Sequence, residues 1–213
     1  MIIKEFKSHI GSWNLKVDEI SLEKGQVTLI YGPSGSGKTS FFQGLIGLNF
    51  AEFKLMFDDV NLSQVRPSDR KFSVVFQANN LFEHLLVEDN LKLIQPSNMP
   101  DKDFLEQVKA YNIESLLKKK SSILSGGEKQ MISCVRAFMH QGRRLLLMDE
   151  PWSSMDFEKK MEYRNHLIDF LKKENIPCIL ISHDKDEEIS FLNPKYMFDF
   201  TQVARFTNGQ PSV

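Results

Sequence analysis

The chain has 213 residues, 26% charged and 41% hydrophobic, with 27 basic against 28 acidic side chains and a formal net charge of −1. That composition excludes a disordered polymer, and the length suits one domain with a full core rather than two in tandem. The balance of charge gives no global pull toward nucleic acid or an anionic membrane, so no nucleic-acid partner is expected.

The opening stretch MIIKEFKSHIGSW carries Lys4, Glu5 and Lys7 and lacks the apolar segment of a secretion signal. No apolar run reaches the roughly 20 residues needed to cross a bilayer, which points to a cytoplasmic protein. Alternation at Trp13, Leu15 and Val17, and again over residues 27–30, predicts two strands with Gly25 turning between them. The glycine-rich run GPSGSGKT follows, and then helical spacing of Phe41, Phe42, Leu45, Ile46 and Leu48. FKLMFDDVNL reads as a strand with a turn at Asp58 and Asp59, and KFSVVFQ, residues 71–77, as a short apolar strand.

Residues 79–120 read as helical fragments broken by QPSNMPDKD, where Pro96 and Pro100 stop the pattern. RLLLMDE and PCILISHD are apolar strands ending in polar residues, as buried parallel strands do. The helical stretch Phe157–Glu174 joins them into a β-α-β unit. A weak strand or two is expected after Asn193. Cys134 and Cys178 lie in apolar surroundings without metal-ligand spacing, as buried reduced thiols do.

Gly32, Pro33, Ser34, Gly35, Ser36, Gly37, Lys38 and Thr39 match G-x-x-x-x-G-K-[ST] between a predicted strand and a predicted helix. Such a loop wraps its N–H groups around phosphate oxygens, with the helix N-terminus adding positive charge. Lys38 is then expected to reach the outer phosphates, Thr39 to ligate Mg²⁺ and Ser40 to line the same cradle. Asp149 and Glu150 end an apolar strand, suiting them to the metal shell and to general-base work on water. Gln77 and His183 end two further strands. Converging on one edge, Gln77 would contact the Mg²⁺ and the attacking water, and His183 the γ-phosphate or the water.

With the loop, VVFQ, LSGGEKQ, LLLMDEP, SSMD and ISHD in this order, nearly the whole chain resembles the ATPase subunit of ATP-binding cassette (ABC) transporters. The resemblance implies an α/β fold of the P-loop NTPase type. Its core is a mixed sheet with an antiparallel N-terminal β region, carried by residues 1–77 and 132–213, and 78–131 form an inserted helical subdomain. It implies ATP and Mg²⁺ as ligands and a head-to-tail dimer, with itself or a closely related cassette. Ser125, Gly126 and Gly127 of one subunit would close over the γ-phosphate held by Lys38 of the other. Asp156 resembles the aspartate that couples the two sites. The adenine-stacking aromatic has three candidates, Phe6, His9 and Trp13, with Trp13 taken as the nucleotide-binding one. Arg136 would support the signature loop or form an ion pair.

The family further implies integral membrane permease subunits as partners, docked beside Gln77 on the stretch containing Leu81, Phe82, His84, Leu85, Leu86 and Val87, and hence attachment to the cytoplasmic membrane face. PSDRKFSVVFQANNLFEHLLVEDNL is similar to small importer ATPases of the thiamine, molybdate, iron and polyamine type, some of which lack a C-terminal regulatory domain. ATP-driven import of a small solute is the expectation. An exporter or lipoprotein-release subunit is the nearest rival, and a soluble nucleotide switch is the rival of another class. The solute itself is not written in this chain.

Overall fold

The computed structural model describes the backbone apart from residues 11, 12, 58, 59, 79, 97, 203, 208, 209, 212 and 213. It describes side chains apart from these and residues 10, 13, 202, 204–207, 210 and 211. The turn expected at Asp58 and Asp59 and the side chain of Trp13 lie outside the described residues.

Strands β1 (Ile2–Ile10) and β2 (Trp13–Ser21) pair antiparallel, and β4 (Ala51–Phe57) joins the other side of β1. With β5 (Val60–Asn61), β10 (Ala204–Thr207) and β11 (Gln210–Pro211) they form a six-stranded antiparallel sheet in the order β11-β10-β2-β1-β4-β5. β1 was not legible from alternation, because a bulge shifts its register between Lys4 and Lys7, with Glu5 at φ 54°. The bulge puts Ile3 and Phe6, three positions apart, on the same buried face.

The second sheet is parallel, in the order β6-β7-β8-β3-β9: β3 (Val27–Tyr31), β6 (Phe72–Val75), β7 (Leu145–Asp149), β8 (Cys178–Ser182) and β9 (Tyr196–Asp199). Its three central strands alternate between two cores. Leu145, Leu147, Ile179, Ile181 and Ile30 face a cluster shared with α1 (Lys38–Ile46) and the antiparallel sheet. Leu146, Met148, Cys178, Leu180 and Leu29 face a cluster shared with the remaining helices. Both faces are covered, which is why these strands read as continuous apolar runs. The weak strand expected in the tail is β9, an edge strand parallel to β3.

Between β6 and β7 lie α2 (Val87–Lys92), α3 (Asp101–Ala110), short 3₁₀ turns and α4 (Gly126–Met139). Pro100 caps the start of α3, consistent with its breaking the preceding pattern. The boundary expected between residues 131 and 132 falls inside α4, a single helix whose Ile132, Val135 and Phe138 share a core with α5 (Phe157–Glu174) and β8. The final helix, α6 (Lys185–Leu192), follows β8. Cys134 and Cys178 are buried free thiols, and burial pushes both thiol pKa values up. Among the described residues no helix is long and apolar enough to cross a membrane.

Phe6 is fully buried, with its ring 4.6 Å from that of Phe41 and 5.7 Å from that of Phe53. It therefore leaves the set of adenine-stacking candidates, because no ligand can reach it. Phe6→Ala should lower the unfolding free energy by about 3–5 kcal/mol in urea denaturation. A loss below about 1 kcal/mol would show that this junction between α1 and the antiparallel sheet carries little of the fold.

Candidate functional site

Because β3, β7 and β8 are adjacent and parallel, the loops leaving their carboxyl ends open on one edge. Tyr31 pairs with Ser182, and Asp149 with Ile181. A cavity of about 700 Å³ lies there, lined by Ser34, Gly35, Ser36, Gly37, Lys38, Thr39, Ser40, Gln77, Asp149, Glu150 and His183. Gly32 and Pro33 are not among its lining residues.

The phosphate-type loop turns into α1 at Gly37, which holds φ 100° as the helix N-cap. That left-handed backbone penalises any residue with a Cβ, which is the local reason for glycine before Lys38. Lys38 folds back over the loop, its Nζ donating to Gly32 O (2.7 Å), Pro33 O (2.9 Å) and Ser36 Oγ (3.4 Å). Along β7, Asp149 is buried and hydrogen-bonded by Thr39. Burial, and then the adjacent Glu150 charge, push its pKa up to about 6, against the opposing effects of Thr39 and Lys38.

Glu150 takes φ 48°, a costly backbone for a residue with a side chain, while its N–H donates to Ile181 O at 3.0 Å. The turn aims its carboxylate at His183, with Nδ1 2.8 Å from Oε2. His183 was expected on the γ-phosphate or the water; its ring here contacts the candidate base. Thr39, Asp149 and Gln77 offer hard oxygen donors that fit Mg²⁺, provided phosphate oxygens and water complete its shell. Among the described residues no group of three or more His, Cys, Asp or Glu could hold a metal.

Ser125, Gly126 and Gly127 do not line this cavity. They open into a second one, of about 530 Å³, together with Ser154, Met155, Asp156 and Lys159. Ser125 is the N-cap of α4 in a reciprocal capping box: its Oγ accepts from Glu128 N (3.2 Å) and its N–H donates to Glu128 Oε2 (2.8 Å). Asp156 is the N-cap of α5, its carboxylate accepting from Lys159 N at 2.8 Å with no reciprocal bond. A Cβ on Gly127 would stand 3.0 Å from Ser154 O, so the two loops touch backbone to backbone.

The sequence reading missed the residues that tie these parts together. Buried Gln130, within LSGGEKQ, donates to Ser153 Oγ (2.9 Å) and accepts from Ser154 N (2.7 Å), joining the signature helix to the turn after Glu150. Trp152 donates to Glu188 Oε1 (3.0 Å), which also accepts from Arg164 Nη2 (2.7 Å); Arg164 Nη1 reaches Glu187 Oε1 (2.7 Å). Arg164 and Glu188 are each 1% exposed. This buried network binds α5, α6 and the 150–156 turn, and only the helical phase of Arg164 could have signalled it. Arg136, expected to support the signature loop or to form an ion pair, donates from Nη2 to Asn80 O at 2.8 Å, tying α4 to the segment after Gln77. Of the other adenine candidates, His9 is exposed and hydrogen-bonds Asn14 at 2.7 Å.

A family model described as ABC transporter matches residues 15–153. A molybdenum import ATP-binding protein of Paramagnetospirillum magneticum is 34% identical, covering 96% of this chain and 58% of that protein. A sulfate/thiosulfate import ATP-binding protein of Mannheimia succiniciproducens is 31% identical, covering 88% and 55%. The chain thus spans less than two thirds of the length of these relatives. A solved structure described as a dimeric bacterial ABC transporter cassette superposes with TM-score 0.78 over 97% of this chain and 98% of that one, at 21% identity, and so shares its fold.

Glu188→Ala removes the more buried of the two carboxylates that pair with Arg164 and leaves only Glu187, and it should cost about 3 kcal/mol in chemical denaturation, whereas Arg164→Met with Glu188→Leu should recover most of it. Asp149 has a folded pKa of about 6 against 3.8 for the free group. Across that window the folded chain keeps a proton that the unfolded chain has released, so this carboxyl's contribution to stability falls as pH rises and stays unfavourable above it. Asp149→Asn should therefore raise the melting temperature at neutral pH without divalent cations and flatten the pH dependence in that window, as followed by scanning calorimetry.

Proposed function

The chain belongs to the ABC transporter family, and on that premise we propose that it binds and hydrolyses ATP with Mg²⁺ as the nucleotide-binding subunit of a solute importer whose permease is a separate chain. The observation that carries this reading is the division of the chemistry between two cavities. One holds the phosphate loop, Gln77, Asp149, Glu150 and His183; the other holds Ser125, Gly126, Gly127 and Asp156. A head-to-tail pair, of two copies or of this chain and a closely related cassette, brings the first cavity of one subunit against the second cavity of the other, a closed twofold arrangement.

In that pair the backbone of residues 34–37 cradles the phosphates, and Lys38 exchanges its bonds to Gly32 O and Pro33 O for phosphate oxygens. The amides at the start of α4 approach the outer phosphate from the opposite subunit. Glu150 accepts the proton of the attacking water, and His183 keeps its carboxylate in place. Gln77 lies on both the water and the metal. Mg²⁺, when bound through Thr39, Asp149 and Gln77, offsets charge on the phosphates. Closure around the nucleotide excludes bulk water and fixes the nucleophile in line.

The permease side rests on the segment after Gln77. Its apolar stretch divides: Val87 is buried in the core, whereas Phe82 is 51% exposed and stacks edge-on with His84, ring centroids 6.1 Å apart. Phe82 and His84 are therefore the residues offered to a membrane partner, which would hold this chain at the cytoplasmic membrane face. Residues 1–77 and 132–213 act as the nucleotide-binding core in this reading, and 78–131 as the arm carrying the signature. Import is favoured over export because the curated relatives above are described as import proteins. Trp13 or His9 remains for the base.

Glu150→Gln should retain ATP binding and accumulate an ATP-dependent dimer in sedimentation, with turnover lost. Normal binding with no dimer and near wild-type turnover would remove both the assigned base and its interfacial setting. Purification of the same variant from detergent-solubilised native membranes with ATP and Mg²⁺ should recover a multi-spanning permease; recovery only from the soluble fraction would favour a nucleotide switch. Lys38→Ala should weaken nucleotide binding in calorimetry with the fold unchanged.

A further inference from the structure

The face of α4 that lies along the 150–154 turn joins two groups that serve different nucleotides. On the proposed reading a subunit's Glu150 acts on the nucleotide held by its own Lys38, whereas its residues 125–127 close over the nucleotide held by the partner's Lys38. Gly127, Gln130 and Cys134 stand three and then four positions apart, so the helix puts them on one face. Each meets the turn. A Cβ on Gly127 would stand 3.0 Å from Ser154 O, Gln130 bonds Ser153 and Ser154, and the Cys134 thiol donates to Pro151 O at 3.8 Å.

Of these three contacts, Gln130 makes the one that both donates and accepts. Its side chain is fully buried, and the orientation of its amide is settled by Ser154 N–H, which can only donate and takes Oε1 as its acceptor at 2.7 Å. Nε2 is thereby aimed at Ser153 Oγ (2.9 Å) and at the carbonyl oxygen of Glu150 (3.4 Å). That carbonyl also accepts from Ser153 N at 3.3 Å, which closes a tight turn directly after the residue at φ 48°. Left-handed backbone at a residue with a side chain persists only where its neighbours over-determine it. Here the Glu150 N–H is held by β8 through Ile181 O, and its carbonyl is held by the signature helix through Gln130.

Resting on the ATPase reading above, we propose that Gln130 is a positioning residue for hydrolysis: it holds the turn that orients Glu150 and makes that orientation depend on where the signature helix sits. Closure of residues 125–127 over the partner's nucleotide then fixes, through Gln130, the base that acts on the subunit's own nucleotide. In a twofold pair of two copies the same link runs in both directions, so each bound nucleotide favours turnover of the other and hydrolysis is cooperative in ATP. Gln130 touches neither nucleotide. It acts through the backbone of Glu150 and of Ser154.

The test is steady-state ATP hydrolysis by the full chain with Mg²⁺ across a range of ATP concentrations, beside calorimetric ATP binding and thermal melting. The parent's rate should rise sigmoidally with ATP. Gln130→Met, close in length but without the amide, should lose about tenfold in kcat, as expected when hydrogen bonds that orient the base are removed. Its rate curve should become hyperbolic, with ATP affinity unchanged because residues 34–40 are untouched. Gln130→Glu keeps an acceptor for Ser154 N but sets a carboxylate against the Glu150 carbonyl, and should lose kcat to a similar extent. A role in stability alone would lower the melting temperature and leave the kcat of the folded protein and the shape of its curve as they were. Ser153→Ala, at an exposed position, removes one of the bonds and decides the matter if neither Gln130 variant folds: about a threefold loss of kcat at unchanged ATP affinity is expected. The proposal is overturned, with the ATPase reading intact, if the parent hydrolyses ATP along a hyperbolic curve or if the folded variants keep the parent's kcat and sigmoidal curve. A parent that neither binds nor hydrolyses ATP would remove that reading and the proposal with it.

Discussion

Parallel pairing of β3, β7 and β8 is the constraint on which the rest of the molecule depends. Parallel strands share a direction, so the loop after Tyr31, the acidic pair after Met148 and the histidine after Ser182 must leave the sheet at one edge. No residue of the cavity needs a special interaction to be brought there. The sheet tolerates being buried on both faces because its alternating side chains feed two cores at once, one with α1 and the antiparallel strands, the other with α4 and α5. Five-residue strands therefore suffice to hold the chemistry in place.

Strand pairing brings the groups near one another, and local devices orient them. Gly37 and Glu150 both take left-handed backbone, the first to open a helix directly beneath Lys38, the second to turn a carboxylate toward His183. The cost of the second is met by its surroundings: the Glu150 amide is held by β8, and the turn beyond is held by Gln130 and by Trp152 on Glu188. A charge pair as buried as Arg164 and Glu188 contributes less to net stability than its short distances suggest, because desolvation offsets the attraction. Its effect is to fix how α5 and α6 meet around the candidate base.

The signature helix has a double allegiance. At its start, Ser125 and Glu128 cap one another, leaving Gly126 and Gly127 beside Asp156 in the second cavity. Along its length it is anchored to the turn after Glu150 through Gln130 and to the segment after Gln77 through Arg136, while Lys129 pairs with Glu83 at 2.7 Å. On the proposed reading, a partner pressing on Phe82 and a nucleotide gathered at Glu150 act on the same helix. Coupling between the two would then need no long relay, since one rigid element touches both.

The amino-acid sequence by itself determined which residues form the candidate site and most of the parallel core. The G-x-x-x-x-G-K-T spacing, the apolar runs ending in Asp149-Glu150 and in His183, and the helix Phe157–Glu174 depend on local pattern, which is readable without knowing what packs where. Only the tertiary structure decided the rest. The bulge at Glu5 hid β1 by breaking its alternation, and burial withdrew Phe6 from the surface. Whether residues 125–127 share a cavity with Lys38 depends on where α4 packs, not on spacing. The partners of Gln130, Arg136 and Arg164 lie far off along the chain, so their roles follow from packing that no local pattern encodes.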